Sequence, residues 1–566
     1  MLQGVGAAPG IAVGPAFVLA ADTLAVPRFA VEDPAAEMAR FAAAVAKARR
    51  QIRKLKAKTQ TLHGAAGEEL ELLLDAHEAM LTRSRLLRGV EARIREGPVN
   101  AEAAVEDEVE ALFQQLAGVD AALAAARLGE VREVANRLIR LLSGTPFRTL
   151  ADAPAGAVLV AESLTPAETA LLDPRRIAGF CTVQGGPQGH TAIMARSLGL
   201  PAVLGITDLM ERLQPGDRLA LDGSSGQVIV RPDPATTAVF QRRRAAQRRE
   251  AGRLRRLVGL PAVTRDGVAV RLEANLELPR EMPAADAAGA EGIGLLRTEF
   301  LFMNRPDLPS EDEQYLTLKT IVQGMAGRPV TIRTLDLGGD KLAAAVAARG
   351  TAGANPALGL RAIRLCLAMP ELMDPQLRAI LRAAAHGPVR ILLPLVTSVA
   401  EVLAVRERLG GLAGELGLPM PPVGVMIEVP GAALSADALA QAADFFAIDT
   451  NDLTQYTLAI DRGDEQVAAL YDPFHPAVLR LVQFSVEAAL RRGIPVSVCG
   501  EVAGDPRFTP LLVGLGVREL SMAARSLPLI RQRVRGLSMA ACLSRARNIM
   551  EQWDAARIRD LMDAQA

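Results

Sequence analysis

The sequence of 566 residues is poor in aromatic residues, cysteine and histidine, and it has no excess of charge. Aromatic residues make up 3% of the chain, and its 64 basic residues equal its 64 acidic residues in number. The scarcity of aromatic residues argues against surfaces on which nucleic-acid bases stack. The balance of charge leaves no general field that would attract nucleic acid or an acidic membrane surface. We therefore expect no nucleic-acid partner.

The four cysteines are far apart and form no CxxC pair, which is typical of reduced, cytoplasmic proteins rather than of a disulfide framework. No uninterrupted apolar stretch reaches the roughly 18 residues of a membrane span. The first residues also lack the charged region of a signal peptide. We expect a soluble cytoplasmic protein with no membrane insertion.

The composition of the sequence and the spacing of its apolar residues change along its length. Half of its residues are hydrophobic, which is enough to form the cores of several folded units. Residues 31–143 carry apolar residues at helical spacing with almost no glycine or proline, which predicts a bundle of helices. Residues 1–30 and 144–235 instead contain short strand-like runs separated by turn residues. We predict an α/β domain into which a helical domain is inserted.

Residues 236–262 predict a linker helix, and its stretch 241–256 contains eight arginines. Such a run can mark a helix that binds nucleic acid, but this one has one glutamate and no aromatic residue and belongs to a neutral chain. A solvated helix between domains is the better interpretation.

Residues 263–566 contain apolar runs that alternate with segments compatible with helices. Eight buried strands in such an alternation predict a (β/α)₈ barrel. Because several intervening segments are long, an open α/β sheet is the alternative. The eight runs are VAVRLEANL, GIGLLRTEF, VTIRTLDL, RILLPLV, VGVMIEV, FFAIDTNDL, VSVCGEV and ELSMAA.

Polar residues cluster where these apolar runs end. In a (β/α)₈ barrel, the carboxyl ends of the strands meet at one mouth, where active sites are built. An arginine–aspartate pair at one strand often only closes a barrel end, but here the pattern recurs on five strands. The residues are Arg297, Arg333, Asp336, Glu428, Asn451, Asp452, Cys499 and Glu501.

The chemistry of this set indicates a small, highly anionic ligand. Arg297, Arg333 and Arg462 offer planar forks of donors suited to phosphate and carboxylate. Glu428 and Asp452 are hard oxygen ligands suited to a Mg²⁺ ion that also takes oxygens of the substrate. A phosphorylated carboxylic acid fits this combination.

Cys499 ends an apolar run and has no partner for a disulfide or a zinc site. A small buried core residue is its ordinary interpretation. Its place in the predicted mouth also fits a proton donor or a nucleophile, and the residue type alone leaves these roles open.

A second candidate site lies in Gly185–Gly205, which reads GGPQGHTAIMARSLGLPAVLG. A glycine-rich turn precedes His190 at the start of a helix predicted to begin near Thr191. Free backbone N–H groups and the helix dipole attract phosphate to such a terminus, so His190 is a candidate carrier of a phosphoryl group. The other histidines have no such setting and are interpreted as structural or surface residues: His63, His77, His386 and His475.

Long motifs in the chain resemble, in the same order, those of enzyme I of the bacterial phosphoenolpyruvate:sugar phosphotransferase system. The resemblance covers essentially the whole chain. The motifs that carry it are AAPGIAVG, GHTAIMARSLGLPAV, EGIGLLRTEFLFM, RTLDLGGDK, NPALGLRAIR, TNDLTQYTLAIDRG and CGEVAGD.

The resemblance implies that His190 accepts the phosphoryl group of phosphoenolpyruvate and passes it to a histidine of the small carrier protein HPr. It implies that Glu428 and Asp452 hold Mg²⁺, and that Cys499 protonates the enolate carbon. It also implies that the helical domain docks the carrier and that the barrel forms a homodimer. The residues implied to bind substrate are Arg297, Arg333, Asn451, Asp452 and Arg462, with Arg361 in the same cluster.

The chain departs from the family pattern at several positions. Pro-Gln-Gly at 187–189 replaces the usual Arg-Thr-Ser, and Asp449 replaces a usual glycine, which adds a carboxylate near the implied metal site. The stretch after Lys341 is rich in alanine and lacks the usual aromatic residue. MLTRSRLL (Met80–Leu87) stands where relatives tend to be acidic, which bears on the identity of the carrier.

Two other readings compete with this one. Pyruvate,phosphate dikinase and phosphoenolpyruvate synthase share the histidine and barrel modules, but they need a large nucleotide-binding domain, and only about 140 residues precede the histidine domain here. A regulatory phosphoprotein with an inactive barrel is the other alternative. Every catalytic residue type identified above is present, which favours an active enzyme.

Overall fold

Two compact units make up the computed structural model, Met1–Glu250 and Ala251–Ala566. The structure describes residues 1–19, 26–59, 74–82, 84–116, 121–144, 153–164, 169, 172–186, 190–214, 216–303, 305, 307–337, 355, 357–461, 467 and 470–564.

A sheet of eight strands organises the first unit. Its strands are β1 (Leu2–Gln3), β2 (Val5–Ala8), β3 (Ile11–Leu19), β4 (Ala157–Ala161), β5 (Ile177–Thr182), β6 (Ala202–Leu204), β7 (Arg218–Asp222) and β8 (Gln227–Val230). They are ordered β1-β8-β7-β3-β4-β5-β6-β2 in space. Strands β3, β4, β5 and β6 run parallel to one another, whereas β7 pairs antiparallel with β3 and β8, β8 with β1, and β2 with β6.

The central strands β4 and β5 are covered on both faces of the sheet, and β4 is the apolar run AVLVA. Leu159 and Phe180 pack in the core of one face, and Val158, Val160 and Cys181 pack in the core of the other. A strand buried on both sides gains stability from every side chain, which is why it contains no alternating polar positions.

The helical segment lies in the chain between the neighbouring parallel strands β3 and β4. Residues 74–82 are also helical. The apolar sides of these helices share one core that includes Phe41, Ile52, Val105 and Leu138. The predicted insertion of a helical bundle into an α/β fold is therefore confirmed. The helices are α1 (Pro34–Thr59), α2 (Arg85–Glu96), α3 (Ala101–Leu116) and α4 (Ala121–Leu142).

Three further helices are described after the insertion: α5 (His190–Leu198), α6 (Leu209–Arg212) and α7 (Pro234–Arg255). Helix α7 carries the arginine-rich stretch, and Phe240 is its buried residue. Most of its arginines are exposed, as expected of a solvated helix.

Eight parallel strands form a closed barrel in the second unit. Each of the eight predicted apolar runs overlaps one of them, so the barrel is confirmed and the alternative of an open sheet is wrong. The strands are β9 (Arg271–Leu276), β10 (Ile293–Leu296), β11 (Val330–Arg333), β12 (Val389–Leu393), β13 (Val423–Ile427), β14 (Phe446–Ile448), β15 (Val496–Val498) and β16 (Glu519–Met522).

Helices surround the barrel and pack on a large apolar core. No helix in the described ranges combines the length and the apolar character that crossing a membrane requires. The helices that the structure describes in this unit are α8 (Met282–Ala287), α9 (Glu311–Gly324), α10 (Ala362–Ala368), α11 (Pro370–Ala384), α12 (Val399–Leu416), α13 (Pro430–Leu434), α14 (Ala436–Leu439), α15 (Thr450–Leu458), α16 (Pro476–Arg492), α17 (Thr509–Leu515), α18 (Leu527–Gly536), α19 (Met539–Met550) and α20 (Ala555–Asp563).

An ionic cluster closes the amino end of the barrel. Arg390 donates from Nη1 to Glu519 Oε2 at 3.0 Å, and its Nη2 lies 3.4 Å from both carboxylate oxygens of Glu273. Glu273 is fully buried, and burial raises its pKa to about 7. Charge pairs that only close a barrel end are therefore found at the amino end. The polar residues at the carboxyl end form a separate group.

Candidate active site

Arg333 is the buried cation at the carboxyl end of the barrel. It is the last residue of β11 and is 5% exposed. Its Nη2 lies 3.1 Å from Glu299 Oε1, and its Nη1 lies 2.9 Å from Asp336 Oδ2. Burial lowers its pKa, but the surrounding carboxylates outweigh that effect and raise it well above the ordinary value. The guanidinium is therefore a permanent positive charge inside the mouth.

Arg361 joins the same network from the start of α10. It donates from Nη2 to Asp336 Oδ1 at 2.8 Å, so Asp336 bridges two arginines. The Asp336 amide in turn donates to Glu299 Oε1 at 3.0 Å, which fixes the loop after β11. The structure thus places Arg361 in the cluster that the sequence resemblance indicated.

Three carboxylates meet on the neighbouring strands. Glu428 follows β13, Asp449 follows β14, and Asp452 lies in the first turn of α15; each offers an oxygen within 4.8 Å of the others. Glu428 is 1% exposed and accepts a hydrogen bond from the Leu395 amide. Burial, together with the charges of Asp336 and Asp452, raises the pKa of Glu428 well above its usual range.

This carboxylate group fits a divalent cation, because hard oxygen ligands in a concave site are what such ions require. A cavity of about 260 Å³ lies beside it, lined in part by Leu395, Val429 and Tyr456. The Thr450 hydroxyl, next to Asp449 in the chain, is buried without a hydrogen-bond partner among the described residues. An orphaned polar atom of this kind marks a place where a ligand or its water shell belongs.

Asn451 ties the turns after two adjacent strands together. Its Oδ1 accepts a hydrogen bond of 2.9 Å from the Glu501 amide, while its own amide donates to Asp449 Oδ1 at 2.9 Å. Gly500 lies so close that an added Cβ would stand 2.0 Å from Thr450 Oγ1. Only glycine permits this approach, which brings the loop after β15 against the start of α15.

Cys499 directly follows β15 and points among the apolar residues of the barrel interior. Its Sγ lies 3.6 Å from the Ile448 carbonyl oxygen, and its own carbonyl oxygen accepts a hydrogen bond of 2.8 Å from Asn275 Nδ2. Burial, reinforced by the charge of Asp449, raises the pKa of the thiol well above its ordinary value. The thiol therefore keeps its proton at neutral pH, which suits an acid better than a thiolate nucleophile.

The other two arginines of the predicted set are Arg297 and Arg462. Arg297 follows β10 and pairs with Glu277, and 34% of its side chain is exposed. Arg462 lies outside the described residues.

His190 is the first residue of α5, one position before the predicted helix start. Thr191 Oγ1 donates to the Leu164 carbonyl oxygen at 2.8 Å, and Met194 packs in the core of the helical bundle. These contacts fix the first turn of the helix between the sheet and the bundle. The side chain of His190 and residues 187–189 lie outside the described part of the structure.

The remaining described histidines have structural positions. His386 Nε2 lies 3.0 Å from the Tyr315 hydroxyl, and His475 caps α16 by accepting from the Ala477 amide at 3.2 Å. His77 is fully buried in the bundle. His63 lies outside the described residues.

Sequence reasoning did not select Glu299 or Asn275. Glu299 stands two positions after Arg297 in the motif LLRTEF, and Asn275 is a polar residue near the end of an apolar run, so the signal used for the other residues was present at both. The sequence does not show which groups these two residues contact. Their partners, Arg333 and the carbonyl of Cys499, lie far along the chain.

Three family descriptions match successive parts of the chain. "PEP-utilising enzyme, N-terminal" matches residues 3–127, "PEP-utilising enzyme, mobile domain" matches residues 153–226, and "PEP-utilising enzyme, PEP-binding domain" matches residues 251–539. The last of these covers the barrel and its polar mouth.

Curated relatives match nearly the whole chain. A phosphoenolpyruvate-protein phosphotransferase of Bacillus sp. (strain S) is 40% identical over 95% of this chain and 93% of its own length. The protein of that name from Cupriavidus necator is 41% identical over 94% of each chain, and that from Haemophilus influenzae is 38% identical over 100% of this chain and 98% of its own. A solution structure of an Enzyme I protein is 32% identical and aligns with 44% of this chain and 100% of its own, with a TM-score of 0.39. The chain belongs to the phosphoenolpyruvate-protein phosphotransferase family.

Proposed function

We propose that this protein transfers the phosphoryl group of phosphoenolpyruvate to His190 and then to a histidine of a small HPr-like carrier protein, the first step of a sugar phosphotransferase system. The observation that carries the proposal is the barrel mouth, where a protonated thiol, a buried arginine and a group of carboxylates converge. Protonation, charge neutralisation and metal binding are the three functions that cleavage of an enol phosphate requires of this half of the enzyme.

Substrate binding falls to the cations of the mouth. Arg333 and Arg361 are held by Asp336 in fixed orientations, so their remaining donors are organised before the substrate arrives. The Nε atoms of both arginines are buried without hydrogen-bond partners among the described residues. We assign phosphate and carboxylate binding to Arg297, Arg333 and Arg462, together with Asn451 and Asp452. A planar guanidinium matches both anionic groups.

We propose Mg²⁺ as the cation of the carboxylate group, held by Glu428 and Asp452. A bound divalent ion would neutralise charge on the phosphate and enolate oxygens of the substrate. The burial of Glu428 and the hydrogen bond from the Leu395 amide hold one carboxylate oxygen in place, which leaves the other for the ion.

The reaction balances with the residues of this chain. An imidazole nitrogen of His190 attacks phosphorus in line, and the bond from phosphorus to the enol oxygen breaks. The electron pair of that bond leaves on the enolate. The Cys499 thiol gives its proton to the terminal carbon to form pyruvate, and the thiolate recovers a proton from water. A raised thiol pKa keeps the proton in place until the enolate, a stronger base, is generated.

His190 belongs to the first unit and the barrel residues to the second. The transfer therefore requires His190 to reach the substrate in the barrel mouth during the reaction. We assign the histidine domain to residues 1–30 and 144–235, the carrier-docking domain to 31–143, the linker helix to 236–262 and the substrate domain to 263–566.

We also propose a homodimer formed through the barrel domain, and the cytoplasm as the compartment. The dimer is supported by exposed apolar side chains on two helices that pack together, Leu434 on α13 and Phe484 and Leu490 on α16. The compartment is supported by the four cysteines, all of which are free thiols.

The experiment that tests the function is incubation of the protein with phosphate-labelled phosphoenolpyruvate and Mg²⁺, followed by mapping of the label. We expect one acid-labile phosphohistidine at His190, stoichiometric pyruvate, and transfer of the label to an added HPr-type carrier. His190→Ala should retain binding of phosphoenolpyruvate but accept no label. An acid-stable label in that variant, or labelling from ATP instead of phosphoenolpyruvate, would contradict the proposal.

A further inference from the structure

We propose that Asp449 is a third carboxylate ligand of the divalent cation, and that it lets the ion bind to the barrel before phosphoenolpyruvate does. The inference rests on the proposed function, because it concerns the metal assigned there to Glu428 and Asp452. It goes further in giving the ion a third protein ligand and an order of binding.

The geometry brings Asp449 to the ion site. Its carboxylate supplies one of three oxygens that lie within 4.8 Å of one another, the others coming from Glu428 and Asp452. Oxygens that surround one ion at about 2.1 Å lie about 3–4 Å apart, so this spacing requires only small side-chain adjustments to close on a cation. Asp449 sits at the carboxyl end of β14 and Glu428 at that of β13, so two paired strands hold the two carboxylates side by side.

The burial of these carboxylates is the second observation. Glu428 is 1% exposed and Asp449 is 2% exposed, and neither has a salt-bridge partner among the described residues. Two carboxylates facing each other out of water repel, and buried charges in proteins are compensated by a partner or a metal ion. The charge of Arg333 acts on both carboxylates from a distance, but its direct salt bridges are made with Glu299 and Asp336.

A structural role for Asp449 exists but uses only part of the side chain. Its Oδ1 caps α15 by accepting from the Asn451 amide at 2.9 Å. A cap needs a single oxygen and no charge, and asparagine caps as well as aspartate. The second carboxylate oxygen and the negative charge are therefore not explained by capping. The Thr450 hydroxyl at the same turn is likewise buried without a hydrogen-bond partner among the described residues.

A third carboxylate changes the order in which the ion and the substrate bind. Two protein carboxylates give a Mg²⁺ site that depends on substrate oxygens to complete its binding, whereas affinity rises with the number of charged ligands. With Asp449 the barrel binds the ion while the substrate is absent. The negative charge of Asp449 also repels the anionic substrate. Removing this charge should therefore weaken the binding of the ion but not the binding of phosphoenolpyruvate.

The test measures binding of Mn²⁺ to the full-length protein without phosphoenolpyruvate, by the loss of the electron paramagnetic resonance signal of free Mn²⁺. Asp449→Asn is the main variant because it keeps the helix cap, and Asp449→Gly is the second. We expect both variants, and Glu428→Gln as the comparison, to weaken Mn²⁺ binding about tenfold or more. Anomalous diffraction from Mn²⁺-loaded crystals should show Asp449 in contact with the ion.

Three results overturn the inference: wild type binds no Mn²⁺ without substrate, Asp449→Asn binds it as wild type does while Glu428→Gln does not, or the ion contacts Glu428 and Asp452 alone. None of these readouts uses phosphoryl transfer. A protein that binds Mn²⁺ through Asp449 but forms no phosphohistidine would refute the proposed function and leave this inference standing.

Discussion

Asn275, on β9, binds the backbone of Cys499, which follows β15 two strands away, with 2.8 Å between Asn275 Nδ2 and the Cys499 carbonyl oxygen. Asn275 is itself oriented by Ser521, whose hydroxyl donates to Asn275 Oδ1 at 2.5 Å. Three strands, β9, β15 and β16, thereby fix the position of one thiol. Since the thiol must reach a carbon atom of the substrate, this support bears directly on proton transfer.

We expect Asn275→Ala to slow proton transfer about tenfold or more while leaving the affinity for phosphoenolpyruvate nearly unchanged, because a small displacement of a catalytic group is costly. The measurement is the exchange of pyruvate methyl protons with deuterated water, compared with the dissociation constant of phosphoenolpyruvate. Ser521→Ala should show a weaker effect of the same kind. Equal losses of binding and exchange would indicate a general disturbance of the barrel.

The metal assignment predicts that Glu428→Gln or Asp452→Asn lowers phosphoryl transfer by orders of magnitude. Each change removes a charged oxygen ligand from the site. The check is a titration of initial rate against Mg²⁺ concentration, in which both variants should need far more Mg²⁺ than wild type. Activity retained by both variants at ordinary Mg²⁺ would move the metal site away from these strands.

Cys499→Ser should bind phosphoenolpyruvate and Mg²⁺ normally yet form pyruvate very slowly. A serine hydroxyl is a far weaker acid than a thiol, whose ordinary pKa is about 8.5. Wild type carrying phosphorylated His190 should exchange the methyl protons of pyruvate with deuterated water in the presence of Mg²⁺, and the serine variant should not. Normal exchange in the variant would return Cys499 to the role of a core residue.

His77 predicts an acid sensitivity of the helical bundle. It is fully buried with both ring nitrogens unpartnered among the described residues, and burial, with the charge of Arg137, lowers its pKa from 6.5 to about 4. The unfolded chain therefore binds a proton near pH 6.5 that the folded chain refuses until about pH 4. The stability of the folded bundle is therefore unaffected by His77 above pH 6.5, and it falls as the pH drops from 6.5 towards 4.

We expect His77→Leu to reduce this loss, because leucine offers an apolar side chain that needs no partner. Hydrogen exchange of peptides from residues 34–142 at pH 7.5 and pH 5 measures it. His475→Ala is the matched control, since His475 caps a helix in the other unit. An acid effect of equal size in wild type and His77→Leu would exclude His77 as its source.

The barrel unit, expressed from about Val263 onward, should form a dimer and bind phosphoenolpyruvate without the first unit. All the described residues assigned to substrate and metal belong to that unit. Sedimentation across micromolar concentrations tests the first half, and a strictly monomeric fragment would contradict it. Calorimetric titration with phosphoenolpyruvate and Mg²⁺ tests the second.

The sequence by itself determined the elements and most of the polar set. Apolar runs are local signals, so all eight barrel strands could be predicted, as could the inserted bundle and a helix near Thr191, which begins one residue earlier in the structure. The placement of Arg333, Glu428 and Asn451 at strand ends followed from the same runs, because parallel strands of a barrel all point their carboxyl ends to one mouth.

Only the tertiary structure decided which of these residues touch. The contacts of Arg333 with Glu299 and of Asn275 with Cys499 depend on strand order, register and closure of the barrel, which bring together positions 34 and 224 residues apart. The same is true of the raised pKa of Cys499 and of the orphaned ring of His77, because burial is a property of the packed fold. Hydrophobic periodicity is written in neighbouring residues, whereas charge compensation depends on what the folded chain places within a few ångströms.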